Sequence, residues 1–254
     1  MKVRIVIPTY NRQEMLISLL QEILVESDNV QYVIVDDHSE DIDKLRKFIC
    51  QKKEKYDLVL LESPKNYGGA KTRNIGLLYE NAKAFDWVWF FDDDDFISKE
   101  HIREVFNFLS NNNCHDMVFL PSKNKSSSQV LYPNTINLSR QFSRKGHEVG
   151  TSCCLFSSSL IEKLEGWDPK LIAGQDTDLL LRAAVYSDAT LVNTGAYVCI
   201  NDDNHQRITT NPKKQMIAKA QFLKKNYKLL SASRVLYYLT TLLFFIPYLK
   251  RIIQ

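Results

Sequence analysis

The sequence predicts an α/β protein in which a mostly parallel sheet is covered by helices on both faces. Short apolar runs rich in β-branched residues alternate with stretches whose apolar residues recur at helical spacing. The first part of the chain reads strand–helix three times and then strand, which is the pattern of a parallel sheet. The 254 residues are 44% apolar and 25% charged, enough to bury a sizeable core in an ordinary globular protein.

The first 97 residues are expected to form the regular half of this sheet. The predicted strands are residues 3–7, 30–35, 57–62 and 87–91. The predicted helices are residues 13–27, 41–55 and 68–83. Each strand run is short and apolar and is followed by polar or glycine residues, which indicates a strand that ends at the surface of the sheet.

The second half is less regular. Helices are expected at 99–112 and 176–187, a strand at 116–122, a strand followed by a helix within 150–164, and one or two strands within 189–200. Residues 122–139 are polar and predict a loop. These features divide a domain of residues 1–230 into a regular half, 1–97, and a second half, 98–230, with residues 231–254 as a separate apolar and basic helix.

Charge and cysteine content exclude several classes of protein. The 33 basic and 30 acidic residues give a net charge of +3, without the basic stripe that a nucleic-acid-binding protein needs. The five cysteines are odd in number, and their spacing fits neither a zinc site nor a disulfide framework, which favours a reducing compartment. The start of the chain lacks the layout of a signal peptide.

Polar clusters follow three of the predicted strands: PTYNR at 8–12, VDDHS at 35–39 and DDDD at 92–95. The carboxyl ends of parallel strands share one edge, where open α/β sheets bind ligands. Either acidic cluster could be a helix cap or a solvated turn. Four carboxylates after the apolar run 87–91 repel one another, however, and oxygen ligands at this density suit Mg²⁺ or Mn²⁺.

Three further stretches carry candidate residues. The segment 66–76, NYGGAKTRNIG, offers glycines, a helix start and Arg73 for an anion, although a plain glycine turn would look the same. Asp176 and Asp178 open a predicted helix, where carboxylates are commonly caps. His205 lies in a polar loop, where most histidines are solvated, but it is also suited to a metal held by aspartates.

Taken in order, PTYNR, VDDHS, NYGGAKTRNIG, FFDDDD and AGQDTDLLLR resemble the motifs of a family-2 inverting glycosyltransferase of the GT-A fold. The resemblance covers about residues 2 to 210. It implies a Rossmann-like, mostly parallel sheet with a smaller subregion on the acceptor side. It also implies transfer of one sugar from a nucleotide sugar to an acceptor hydroxyl with inversion. UDP, the commonest donor nucleotide of the family, is the expected nucleotide.

The resemblance also implies roles for single residues. Asp176 matches the general base, Asp94 the metal ligand of the Asp-x-Asp element, and His205 a further metal or diphosphate contact. The residues expected to bind the nucleotide sugar are Pro8, Tyr10, Asp36, Asp37, Arg73, Asp92 and Asp93. The expected cofactor is Mn²⁺ or Mg²⁺.

Two departures from the family pattern stand out. Gln175 precedes Asp176 where relatives usually have glutamate, which leaves Asp178 as a weaker candidate for the base. The Gln-x-x-Arg-Trp signature of processive synthases is absent from the sequence, so one sugar is expected per encounter.

Residues 234–251 have a mostly apolar core of about fifteen residues between basic flanks, short of the ~20 residues of a spanning helix. Tyrosines at its ends predict attachment to a membrane surface, and a helix packed on the domain or a dimer contact is the alternative. The expected setting is cytoplasmic, on the inner face of the cell membrane. The expected partners are a nucleotide sugar and a glycan or lipid-linked acceptor for surface polysaccharide or glycolipid, with no nucleic acid and with a homodimer left open.

Two other classes compete with this interpretation. A sugar-nucleotide pyrophosphorylase shares the α/β plan, but IPTYNRQEM lacks the glycine-rich basic loop expected near its N-terminus. An inactive nucleotide-sugar-binding or scaffold protein would not need the candidate residues Asp94 and Asp176. The sequence names neither the sugar, the acceptor nor the linkage.

Overall fold

The computed structural model describes residues 1–80, 84–201 and 212–253, with side chains except at 212–213 and 244–253. The strands are β1 (Val3–Thr9), β2 (Val30–Asp36), β3 (Asp57–Glu62), β4 (Trp87–Phe90), β5 (Met117–Phe119), β6 (Ser122–Asn124), β7 (Val130–Leu131), β8 (Cys154–Ser157), β9 (Ala189–Leu191) and β10 (Val198–Ile200). The helices are α1 (Gln13–Ile23), α2 (Asp43–Lys52), α3 (Gly69–Leu77), α4 (Lys99–Asn111), α5 (Leu138–Lys145), α6 (Ser158–Lys163), α7 (Gln175–Ala183), α8 (Pro212–Asn226) and α9 (Ala232–Ile253).

Seven of the described strands form a central sheet in the order β3-β2-β1-β4-β8-β5-β9. All its neighbours pair in parallel except β8, which runs antiparallel to both β4 and β5. A smaller sheet has the order β10-β6-β7. The chain order reverses between β1 and β4, and in open α/β sheets a ligand crevice forms at such a switch point.

The centre of the sheet is made from the apolar runs of the sequence. Strands β1 and β2 are buried along almost their whole length, as expected for strands covered on both faces. Gly76 of α3 lies against the same core, because a methyl group there would come within 2.5 Å of Val6 Cγ1. A glycine therefore lets α3 pack directly on the sheet.

The predicted α/β sheet is confirmed, and the predicted helices differ mainly at their ends. Helix α1 ends at Ile23 because the hydroxyl of Tyr32 donates to Ile23 O and accepts from the N–H of Val25. Helix α3 ends at Leu77, where the fully buried guanidinium of Arg4 donates to the carbonyls that follow. These long-range contacts leave no local signal in the sequence.

The composition of residues 122–139 predicts a loop, but the structure contains more than a loop there. This stretch contains β6 and β7, and helix α5 begins within it at Leu138. Leu138 and Phe142 are the buried residues of α5, and a spacing of four places them on one face of the helix. Two apolar residues in eight were too few to predict this helix.

Helix α9 packs on the domain with one face and exposes apolar residues on another. Tyr238 is buried against Phe222 of α8, with ring centroids 5.6 Å apart. Leu236 and Leu243 are 61% and 64% exposed. In the part of the chain that the structure describes, every helix is too short or too polar to cross a membrane. The boundary predicted at residue 231 stays a prediction.

Candidate functional site

Loops after β1 and β4 meet at the switch point of the sheet and are joined by their side chains. Thr9 Oγ1 donates to Asp93 Oδ2 at 2.7 Å. Arg12 Nη1 lies 2.9 Å from both Asp93 Oδ1 and Asp94 Oδ2, so that one guanidinium bridges two carboxylates. The motifs at 8–12 and 92–95 therefore form one structure, as expected from the shared edge of their strands.

The two aspartates after β2 organise the loops around them. Asp36 is buried and accepts from the N–H and hydroxyl of Ser39. Asp37 is also buried, and its two oxygens accept the N–H groups of Tyr67 and Gly68 at 2.8 Å each. Gly68 has a φ of +83°, which glycine adopts without strain. Asp37 therefore holds the glycine loop that begins α3.

Arg73 projects from the first turns of α3 toward the aspartate loop. Its guanidinium pairs with Asp92 and lies over the ring of Trp167, 4.7 Å from the centroid. Its Nε is buried and has no hydrogen-bond partner among the described residues. Pro8 is half-buried at the end of β1, and Tyr10 is exposed just beyond it.

Three carboxylates after β4 form a cluster that fits a hard cation. Oxygens of Asp92, Asp94 and Asp95 lie within 4.8 Å of one another. Burial, and after it the charge of Asp92, raises the pKa of Asp95 to about 7. Crowded carboxylates with one buried member are a donor set that Mg²⁺ or Mn²⁺ prefers. The cluster contains the predicted ligand Asp94, and His205 lies outside the described residues.

Asp93 and Asp95 differ from their neighbours because both are buried. Asp93 points toward Thr9 and Arg12, and burial raises its pKa to about 6. Asp95 accepts the N–H of Asn201 at 3.0 Å. We had not singled out Arg12 or Asp95 from the sequence, although both lie inside the motifs that we had identified.

Asp176, the predicted general base, is the second residue of α7. Its side chain is 46% exposed, and its Oδ1 accepts the N–H of Thr177 at 2.7 Å. Its neighbour Gln175 donates to Leu171 O at 2.6 Å, so the amide is used within the protein. His147 Nε2 lies 3.7 Å from Asp176 Oδ2, and nothing in the sequence around this histidine had indicated it.

Asp178 is not the helix cap that the sequence had suggested. Its side chain is fully buried rather than capping the helix. It lies 2.8 Å from Arg182 Nη2 and 2.9 Å from Lys225 Nζ, and it accepts from Asn226 at 3.0 Å. This carboxylate ties α7 to α8.

Two adjacent buried cysteines respond to the carboxylates. Burial raises the pKa of the Cys153 thiol, and the charges of Asp95 and Asp92 raise it further. Burial also raises the pKa of the Cys154 thiol at the start of β8, where Cys153 and then Asp176 act in the same direction.

A family model described as Glycosyl transferase family 2 matches residues 4–164. A putative colanic acid biosynthesis glycosyl transferase, WcaA, from Escherichia coli K12 is 24% identical over 84% of this chain and 77% of its own. The chain spans less than half of the length of other curated relatives that it matches. For example, it covers 38% of an uncharacterized glycosyltransferase of Haemophilus influenzae that is 27% identical over 47% of this chain.

Two solved structures share the fold. Staphylococcus aureus TarS 1–349 in complex with UDP-GlcNAc aligns with 96% of this chain and 72% of its own at a TM-score of 0.66 and 18% identity. The mannosyltransferase PcManGT from Pyrobaculum calidifontis, in complex with GDP-Man and Mn²⁺, aligns with 95% and 69% at a TM-score of 0.62 and 18% identity. At these identities the likeness shows the GT-A fold alone.

Proposed function

The chain belongs to glycosyl transferase family 2, and from that premise we propose that it transfers one sugar from a nucleoside diphosphate sugar to an acceptor hydroxyl with inversion. The observation that carries the proposal is the aspartate cluster after β4, which suits a cation and a diphosphate and which Thr9 and Arg12 join to the loop after β1 at the switch point of the sheet. Asp176, a half-exposed aspartate at the start of α7, is the proposed base.

The donor is proposed to lie across the loops after β1, β2 and β4. The proposed nucleotide-sugar residues remain Pro8, Tyr10, Asp36, Asp37, Arg73, Asp92 and Asp93. Arg73 supports this arrangement best, since it is a cation with an unpartnered Nε beside the aspartate cluster. A UDP-sugar is our first choice, because TarS was solved with UDP-GlcNAc.

Mn²⁺ or Mg²⁺ is proposed to bind Asp94, with Asp92 and Asp95 completing the cluster and His205 as a further ligand. The donor set fits such an ion, and the neighbour PcManGT was solved with Mn²⁺. When bound there, a divalent cation would offset the negative charge that develops on the diphosphate leaving group.

The proposed reaction uses Asp176 as the base. Its carboxylate takes the proton of the acceptor hydroxyl, and the oxygen attacks the anomeric carbon on the face opposite the diphosphate. The new C–O bond forms as the bond from the anomeric carbon to the diphosphate oxygen breaks, and the bonding electrons leave with the nucleoside diphosphate. One such displacement inverts the anomeric configuration. Gln175 is bonded to the backbone and does not compete for the acceptor.

The acceptor is proposed to be a glycan or lipid-linked hydroxyl in surface polysaccharide or glycolipid synthesis. The name of the relative WcaA, from colanic acid biosynthesis, supports the polysaccharide class. The exposed apolar residues of α9 support attachment to a membrane surface. The cytoplasmic side of that membrane is proposed with it. The division at residue 231 and a homodimer remain proposals without support from a described contact.

A turnover screen tests the function. The full-length protein is incubated with a panel of UDP-, GDP- and dTDP-sugars and Mn²⁺, and both thermal shift and nucleoside diphosphate release are recorded. We expect one nucleotide class to stabilise the protein and to be turned over, and Asp176→Asn to bind it without turnover. Stabilisation without turnover by any donor would favour an inactive binding or scaffold protein. Release of pyrophosphate from a sugar 1-phosphate and a nucleoside triphosphate would favour a pyrophosphorylase.

A further inference from the structure

His147 lies next to the proposed base although it is far away in sequence. Only 11% of its side chain is exposed, and Phe142 of α5 packs edge-on against the ring with centroids 6.1 Å apart. Its Nε2 is 3.0 Å from Thr177 Oγ1 and 3.7 Å from Asp176 Oδ2. We propose that His147 receives the proton that Asp176 takes from the acceptor. This inference rests on the proposed function of Asp176.

The hydrogen bonds of the ring determine which nitrogen can accept a proton. Nδ1 lies 2.8 Å from Val149 O, and a carbonyl oxygen can only accept, so Nδ1 carries the hydrogen in the neutral ring. The lone pair of the neutral ring is then on Nε2, the nitrogen that faces Thr177 and Asp176. The site therefore holds a base whose Nε2 accepts from the hydroxyl of Thr177 at 3.0 Å and lies 3.7 Å from the carboxylate of Asp176.

The proton movement balances without any further reactant. The acceptor O–H bond breaks as its proton moves to Asp176 Oδ2 and its oxygen bonds to the anomeric carbon. The proton then passes from Oδ2 to Nε2 of His147, which leaves a carboxylate beside an imidazolium. Asp176 is half-exposed, and its Oδ2 lies 3.7 Å from Nε2, so the transfer needs a shortening of this distance by about 1 Å. Release of the proton from the ring to solvent resets the pair.

The direction of this transfer follows from the chemistry of the two side chains. A neutral imidazole is a stronger base than an aspartate carboxylate. The ion pair formed by the transfer is itself favourable at this distance. Without the histidine, Asp176 would have to release the proton directly to solvent before the next turnover.

Several charged or titratable groups face this pair from the surrounding elements. Asp176 of α7 is the carboxylate that comes within ion-pair distance of the ring among the described residues. Cys154 of β8 lies close enough to respond to Asp176. Arg234 of α9 lies beside Gly146, with its Nη2 3.4 Å from where a Cβ would be. Lys145 and Glu148 flank the histidine in the chain and are exposed.

The first experiment needs no substrate. The full-length, ¹⁵N-labelled protein is titrated between pH 5 and 8, and the ring nitrogens of His147 are followed by NMR. In Asp176→Asn, the midpoint of the His147 titration should move to lower pH by about 0.5 unit or more, because the carboxylate that favours the charged ring is gone. The ring of His101, which contacts Tyr197 O in another part of the protein, should titrate alike in both proteins. An unchanged His147 midpoint would overturn the proposal.

The second experiment measures transfer with the donor identified by the screen above, and with water as the acceptor if no other is found. His147→Asn keeps an amide that can replace the Nδ1 hydrogen bond but has no base. We expect kcat at pH 7 to fall about 10-fold or more, at the lower end for acid–base groups, with little change in KM for the donor. The acidic limb of kcat/KM should move to lower pH, and His101→Asn should leave both unchanged.

The outcomes separate this inference from the function on which it rests. If Asp176→Asn is inactive while the pH profile of His147→Asn superimposes on that of the wild type, His147 is only structural and the inference is wrong. If Asp176→Asn is as fast as the wild type, the base itself has been misassigned. Should His147→Asn fail to fold, the NMR titration still decides, because both proteins in it keep the histidine.

Discussion

Two aspartates two residues apart on α7 should respond in opposite ways to the same substitution. Asp178→Asn should destabilise the protein and leave turnover per folded molecule nearly intact. Asp176→Asn should abolish most turnover and leave stability unchanged. The sequence alone suggested that Asp178 would tolerate the change as a helix cap, but its complete burial and its bonds to α8 predict the reverse.

The size of the effect can be worked out from the partners of Asp178. Removing one member of a buried ion pair costs about 3–5 kcal/mol when the other is left uncompensated. Here Lys225 keeps its contact with Asp168 at 2.6 Å, and Arg182 keeps the carbonyls of Leu164 and Gly166. We therefore expect a smaller loss, about 2–3 kcal/mol of unfolding free energy. For a protein of this size that corresponds to a fall in Tm of about 5–10 °C.

Asp176→Asn is the matched control on the same helix. Its side chain is 46% exposed, and substitutions at such surface positions usually change stability by less than about 0.5 kcal/mol. Loss of a positioned acid–base group should reduce transfer by about 10²-fold or more. Urea denaturation gives the stability of each variant, and nucleoside diphosphate release gives turnover. An Asp178→Asn protein with the wild-type midpoint would show that the buried network does not hold α7.

Other predictions concern the aspartate loop and α9. Asp94→Ala should abolish Mn²⁺-dependent donor binding in calorimetry, whereas Asp93→Ala should weaken donor binding much less and should also lower Tm; equal losses of binding would contradict the assignment of the metal ligand. Because folding raises the pKa of Asp95 to about 7, well above its unfolded value, the folded state binds more protons between about pH 4 and 7. The metal-free protein should therefore gain unfolding free energy from this carboxyl as pH falls through that window, and Asp95→Asn should reduce the gain measured by urea denaturation at pH 7.5 and 5.5. Leu236→Ser with Leu243→Ser should release the protein from anionic lipid vesicles without lowering Tm, and equal vesicle binding by variant and wild type would refute the membrane contact.

The parts of the fold that the sequence predicted are those determined by local pattern. The strands of the first half were predicted to within about two residues, because buried parallel strands appear as short apolar runs. Helix α5 and strand β6 were missed because they are short and mostly polar and bury few side chains, and β7 was missed because it has only two residues. The reversal of β8 was missed as well, since strand direction depends on the connections between elements and leaves no mark within the strand.

The candidate site also has a part that could be predicted from the sequence and a part that could not. The clusters after β1, β2 and β4 could be placed together from sequence, because the carboxyl ends of parallel strands share an edge. The partners within the site could not, since Arg12, Asp95 and His147 are selected by distances that no spacing in the sequence encodes. Burial also separates Asp93 from Asp94, although the two are identical neighbours in the sequence.

Helix α7, which carries the proposed base, is held in place by residues that lie beyond the family match. The family match ends at residue 164, so helices α7, α8 and α9 all lie beyond it. Lys225 appears in the sequence within a lysine-rich stretch that would ordinarily be solvated, yet it reaches across to the buried Asp178. The helix that carries Asp176 is thus held by residues outside the matched region. Changes in α8 or in the loop around His147 can therefore alter the position of the proposed base without touching the loops after β1, β2 and β4. The two variants of α7 thus test the proposed acceptor side independently of the proposed donor side.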